Sequence, residues 1–172
     1  MDAQRRHFIK LGLGAMLGWG LVATGGLLTG CSSAPAPGWR WLRTQDVALL
    51  SALFPVVLQD NWTHQIPVVT LVRDVESFFL TTSEPGLAQI RKVLDLMTLA
   101  PSRWFLSRAP DWATISQPEA TTSWQFLLAG RSSTTMAIAG FFTQVLTMAW
   151  FKRPESWLSI GYEPPQHIVS PV

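Results

Sequence analysis

Val68-Val69-Thr70-Leu71-Val72-Arg73-Asp74-Val75-Glu76-Ser77-Phe78-Phe79-Leu80 is the stretch that decides the fold class. Val68, Leu71, Val72, Val75, Phe78 and Phe79 recur at spacings of three and four, while Arg73, Asp74, Glu76 and Ser77 fall opposite. That is an amphipathic helix with one apolar stripe for a core and a polar face for water. Leu87, Ile90, Leu94 and Met97 make a second stripe, with Gln89, Arg91, Lys92 and Asp95 largely outside it. Glu84-Pro85-Gly86 reads as a short break between the two helices, which predicts antiparallel neighbours packed through their stripes. Upstream, Thr44 reads as the N-cap of a helix through Leu49, Leu50, Leu53 and Phe54, with Pro55 kinking or ending it.

The remainder is helical as well. Residues 101–108 read as a short helix followed by a Pro110-Asp111-Trp112 loop. Ser116-Gln117-Pro118-Glu119 has the form of a capping box, opening a helix that runs to about Ala129. Residues 132–151 contain no charge and are closed by Lys152-Arg153-Pro154. Their length would span a bilayer, but Ser132, Ser133, Thr134, Thr135, Thr143, Gln144 and Thr147 make them polar for lipid. They are expected to form the central helix of a bundle, surrounded on most sides. No alternating run marks a sheet, so the fold class is all-α: an irregular helical bundle over 44–153, followed by an extended tail over 154–172.

Composition agrees with a folded body, at 48% hydrophobic and 14% charged residues. Lys and Arg number 13 against 11 Asp and Glu, and Arg5, Arg6 and Lys10 against Asp2 account for the whole surplus. The charges beyond residue 30 cancel, which argues against a nucleic-acid surface. Gln4-Arg5-Arg6-His7-Phe8-Ile9-Lys10 precedes a weakly apolar, Gly-rich run and resembles a twin-arginine export signal. Gly12-Leu13-Gly14 begins like a dinucleotide fingerprint, but Leu17 stands where its third glycine belongs. The run ends in Leu28-Thr29-Gly30-Cys31, which resembles a lipobox, so the single cysteine, Cys31, becomes the lipidated first residue of the mature chain. Residues 1–30 are then the signal peptide, and the small, Pro-rich stretch 31–43 a flexible tether. The alternative is that 11–30 are retained as a membrane anchor. Either way the body lies on the periplasmic side, attached to a membrane.

A search for chemistry finds little. His64 and His167, the histidines beyond the leader, lie in expected loops without a partner at ligand spacing. There is no nucleophile elbow, phosphate-cradling loop, haem-attachment pair or HExxH. Asp111 and Glu119 are better explained by loop solvation and capping than by acid–base work. The expectation is no catalytic residue, no metal and no cofactor in this chain. Asn61-Trp62-Thr63 matches a glycosylation sequon by accident. Nine tryptophans are unusual for 172 residues. Trp62, Trp104, Trp112, Trp124, Trp150 and Trp157 are expected to divide about evenly between the core and a partner surface.

The C-terminal string Phe151-Lys152-Arg153-Pro154-Glu155-Ser156-Trp157-Leu158-Ser159-Ile160-Gly161-Tyr162-Glu163-Pro164-Pro165 resembles the closing signature of one family. It is that of the small subunits of membrane-associated flavoprotein dehydrogenases, the gluconate 2-dehydrogenase subunit 3 type. Phe151, Pro154, Trp157, Ile160, Gly161, Tyr162, Pro164 and Pro165 carry the match, with a looser likeness through 50–58 and 124–150. The chain departs from the family in having Phe151 where a tyrosine is common, Glu163 before the proline pair, and no charge in 124–130.

The resemblance implies a non-catalytic subunit that binds a large FAD-dependent dehydrogenase of the glucose-methanol-choline type. It also admits a cytochrome c subunit as a further partner. The twin-arginine translocase would export the pair, since the flavoprotein must fold around FAD before it crosses. In this reading Arg5, Arg6 and Phe8 form the export signal and Cys31 the lipid site. Trp157, Ile160, Gly161, Tyr162, Pro164 and Pro165 are the partner-binding tail, laid into a groove as a stiff extended segment. A rival expectation is a stand-alone lipoprotein with tryptophans lining a pocket for a small apolar ligand. An enzyme would require His64 or His167 to converge with Asp111 or Glu119.

Overall fold

Seven helices and no strand make up the described part of the chain in the computed structural model. The described residues are 34–62, 66–157 and 161–162, all within one compact unit. Arg5, Arg6, Phe8, Cys31, His64, Ile160, Pro164, Pro165 and His167 lie outside them. The helices are α1 (Thr44–Leu58), α2 (Val68–Leu80), α3 (Glu84–Thr98), α4 (Ala100–Ser107), α5 (Gln117–Ala129), α6 (Ser133–Phe151) and α7 (Pro154–Trp157). A 3-10 turn, Gln59–Asn61, follows α1. The all-α bundle read from the periodicity is the observed architecture.

The centre of the bundle belongs to α1, not to α6. From Asp46 to its end α1 has no exposed residue, and it packs against α2, α3, α5 and α6. Arg43, not Thr44, is its N-cap. Pro55 sits inside the helix without ending it, and the stop comes at Gln59, whose φ of +46° breaks the helical path.

The helix expected to be surrounded on most sides, α6, buries one stripe only: Ile138, Ala139, Phe142, Val145, Leu146, Ala149 and Trp150. Met136, Ala137, Gly140, Thr143, Gln144 and Met148 face outward. Lack of charge did not imply burial here, because Thr, Gln, Gly and Ala tolerate water without carrying charge. Alone among the described helices, α6 is long and apolar enough to cross a membrane, with 39% of its apolar window buried.

The break expected between α2 and α3 is corrected, although the two helices do contact each other. Glu84-Pro85-Gly86 is the first turn of α3 rather than a break, with Pro85 at a position where its missing N–H has no helical partner to lose. Thr81–Ser83 makes the connection, and α3 then packs mainly on α4 and α1. The short helix at 101–108, the loop behind it and the helix ending at Ala129 appear as read, with α4 closing on Arg108 in the left-handed region at φ +60°.

Candidate functional site

Two carboxylates on α2 organise both ends of the described chain. Periodicity put Asp74 and Glu76 on a polar outer face, yet they are 8% and 5% exposed. Buried carboxylates need partners, and each has found a different kind.

Glu76 holds the segment before α1. Its Oε1 accepts the backbone N–H groups of Arg40, Trp41 and Leu42 at 3.0, 2.8 and 3.0 Å. Ala36 donates to the Leu42 carbonyl at 2.8 Å, and Leu42 is fully buried. Trp41 meets Phe79 edge to face at 5.9 Å, and the Arg91 guanidinium lies 3.9 Å from its ring centroid. Arg91 also donates to Asp46 at 2.6 Å, and Asp46 accepts the Arg43 backbone N–H at 2.8 Å. The tether assigned to 31–43 is therefore a fixed strap from Ala36 to Arg43. The Pro-Gly-Ser composition pointed to flexibility, whereas Trp39, Trp41 and Leu42 were the signal for a docked segment.

Asp74 holds the root of the tail. Arg153 Nε donates to Asp74 Oδ2 at 2.6 Å, and Lys152 Nζ to Oδ1 at 3.2 Å. The Arg153 bond raises its guanidinium above an already high ordinary value, so it stays charged at any pH the fold tolerates. The segment read as wholly extended begins instead with the helical turn α7. There the Trp157 indole N–H donates to the Phe151 carbonyl at 2.8 Å, and buried Ser156 donates its hydroxyl to the Arg153 carbonyl at 2.7 Å. Gly161 adopts φ +67°, a conformation that costs other residues energy, and this turn returns the Tyr162 N–H to the Trp157 carbonyl at 3.0 Å. The Trp157 and Tyr162 rings meet edge to face at 5.5 Å. Trp157 is half-buried and Tyr162 is 48% exposed, so of these two expected anchors Tyr162 is the freer.

Beside this root an open groove of about 280 Å³ runs between α2 and α6, bordered by Asp74, Val75, Phe78, Val145, Met148 and Lys152. No tryptophan lines it. Among the tryptophans, Trp112, Trp124 and Trp150 are buried, Trp39, Trp41, Trp62 and Trp157 are intermediate, and Trp104 is 55% exposed.

The two carboxylates weighed as acid–base candidates have structural tasks. Asp111 accepts the Ala113 N–H at 3.0 Å and lies 4.0 Å from Arg103. Glu119 accepts the Ser116 hydroxyl at 2.6 Å and its N–H at 2.9 Å, as a capping residue does. These bonds, the hydroxyl first, hold its carboxyl below the ordinary 4.5. Among the described residues no group of three or more His, Cys, Asp or Glu could hold a metal ion. Comparison with known proteins finds no family model, no curated protein and no solved structure that matches this chain.

Proposed function

We propose that this chain is the non-catalytic small subunit of a periplasmic, FAD-dependent alcohol or sugar dehydrogenase. It carries the twin-arginine address for a folded flavoprotein partner and stays on the membrane through lipid on Cys31. The observation that carries the reading is the string from Phe151 to Pro165, which resembles the family's ending. Its root supports a binding role: Asp74 fixes Lys152 and Arg153, and the Gly161 turn leaves the Tyr162 ring exposed at the end of a tied segment. An aromatic residue on a preorganised base loses little entropy when a partner covers it.

The chemistry of the pair belongs to the partner's FAD. This chain contributes recognition, export and attachment. Replacing Arg5 and Arg6 by Lys tests the passenger step, because the translocase receptor reads that pair. The expected result is a flavin-containing dehydrogenase that stays in the cytoplasm with the unexported small chain. A flavoprotein that reaches the periplasm undiminished would refute the passenger role.

A further inference from the structure

Helix α4 turns its apolar side outward. Ala100, Pro101, Trp104 and Phe105 are exposed, Phe105 at 76%, while Leu106 and Ser107 are buried. The helix is nonetheless firmly seated. Arg103 donates to the Thr98 carbonyl at 3.1 Å, to the Ala109 carbonyl at 3.2 Å and to the Pro110 carbonyl, which ties together the segments entering and leaving α4. Trp112, buried beneath, donates its indole N–H to the Met97 carbonyl at 2.6 Å. Arg108 then extends the platform to α5: its guanidinium lies 5.5 Å from the Trp104 ring and 5.3 Å from the Phe126 ring. Among the described residues Arg108 has no carboxylate within ion-pair distance.

We infer that Trp104, Phe105 and Arg108 rest on the bilayer, in the headgroup layer of a membrane containing anionic lipid. Tryptophan and phenylalanine beside an arginine that lies against rings rather than a carboxylate suit that layer: the rings enter the acyl boundary, and the guanidinium meets phosphate. The length of chain before the strap argues for the same occupant. Ala36 is already bonded to the body, so only four residues lie between it and Cys31, and those five Cα-to-Cα steps span at most about 18 Å. Lipid on Cys31 and a retained apolar run at 11–30 both hold the bundle that close to the membrane.

The strap leads toward α4 through bonded neighbours. Ala36 is bonded to Leu42, the adjacent Arg43 pairs with Asp95 at 2.9 Å, and the Asp95 carbonyl accepts the N–H of Leu99, which precedes α4. The inference rests on the proposed function only for attachment to a membrane, not for the flavoprotein.

The test uses the mature chain, purified from membranes and reconstituted into vesicles of phosphatidylethanolamine and phosphatidylglycerol with brominated acyl chains. Trp104→Phe is expected to remove the largest single share of the lipid quenching of tryptophan emission, because Trp104 is the one described tryptophan that is exposed, the others being buried or intermediate. Phe105→Asp, which keeps Trp104 and changes a side chain outside the core, is expected to cut quenching about twofold with unchanged circular dichroism. Equal quenching in wild type and Trp104→Phe would overturn the inference. So would Phe105→Asp abolishing flavoprotein co-purification while quenching is unchanged, which would make the patch a protein contact and leave the subunit reading intact. Quenching as expected, with no flavoprotein co-purifying, would uphold the bilayer contact and sink the subunit reading.

Discussion

The strap and the tail root are both held by α2, through carboxylates two residues apart, yet they are built for different purposes. Glu76 takes three backbone N–H groups of the strap, and Leu42 seals it into the core. Asp74 takes two side-chain cations, one of them Lys152 with 60% of its side chain exposed, and the segment it holds ends on an exposed ring. The first arrangement closes the fold. The second positions a surface and contributes less to stability, because both cations paired with the buried Asp74 are partly open to solvent, which screens them. Removing each in turn separates stability from binding.

Glu76→Ala is expected to have the largest effect, since it leaves three backbone donors with no acceptor. The loss should be about 3 kcal/mol. For a body of this size that lowers the thermal midpoint on the order of 10 °C, checked by following helical circular dichroism. Glu76→Gln keeps an acceptor oxygen and should recover much of the loss.

Asp74→Ala should cost less, about 1–2 kcal/mol after discounting for the exposure of both cations. Its larger effect is expected on flavoprotein co-purification, because Arg153 no longer fixes the tail. Trp157→Ala should cost about 1 kcal/mol through loss of its hydrogen bond to the Phe151 carbonyl. Tyr162→Ala should leave the melt unchanged while weakening partner capture, and the pair of substitutions isolates the exposed ring from the clamp beneath it.

The smallest effect belongs to the α5 cap. Hydrogen bonds from Ser116 lower the Glu119 pKa, so its contribution is complete above the ordinary 4.5 and fades as pH falls through the lowered folded value. Protection factors at the start of α5, taken relative to intrinsic amide exchange, should fall over that range, and Glu119→Gln should remove that fall.

These contrasts also explain what was legible in the sequence. The span and type of α2 followed from its stripe, but its polar face was misassigned. Six positions of periodicity assume one buried side, whereas α2 is covered on further sides by the strap and the tail root, which are distant in sequence. The capping box at Ser116 and Glu119 was readable because both partners lie within four residues. The fixed strap was hidden by its Pro and Gly content, and the outward face of α6 by its lack of charge. Of the candidate tail, Trp157, Gly161 and Tyr162 fall in the described chain, and only the fold reveals that one of the rings serves the chain's own helix end. The aromatic platform on α4 had no periodic signal, because an eight-residue helix gives the same pattern with either face buried.

The central claim is that a large flavoprotein is this chain's partner. The most direct measurement is purification of the C-terminally tagged protein from solubilised membranes, with mass spectrometry of what accompanies it and a visible spectrum for bound flavin. The account predicts stoichiometric co-purification of a flavin-containing dehydrogenase that is lost when Trp157 and Tyr162 are both replaced by Ala. A colourless lipoprotein recovered alone, from cells that express such dehydrogenases, would contradict it.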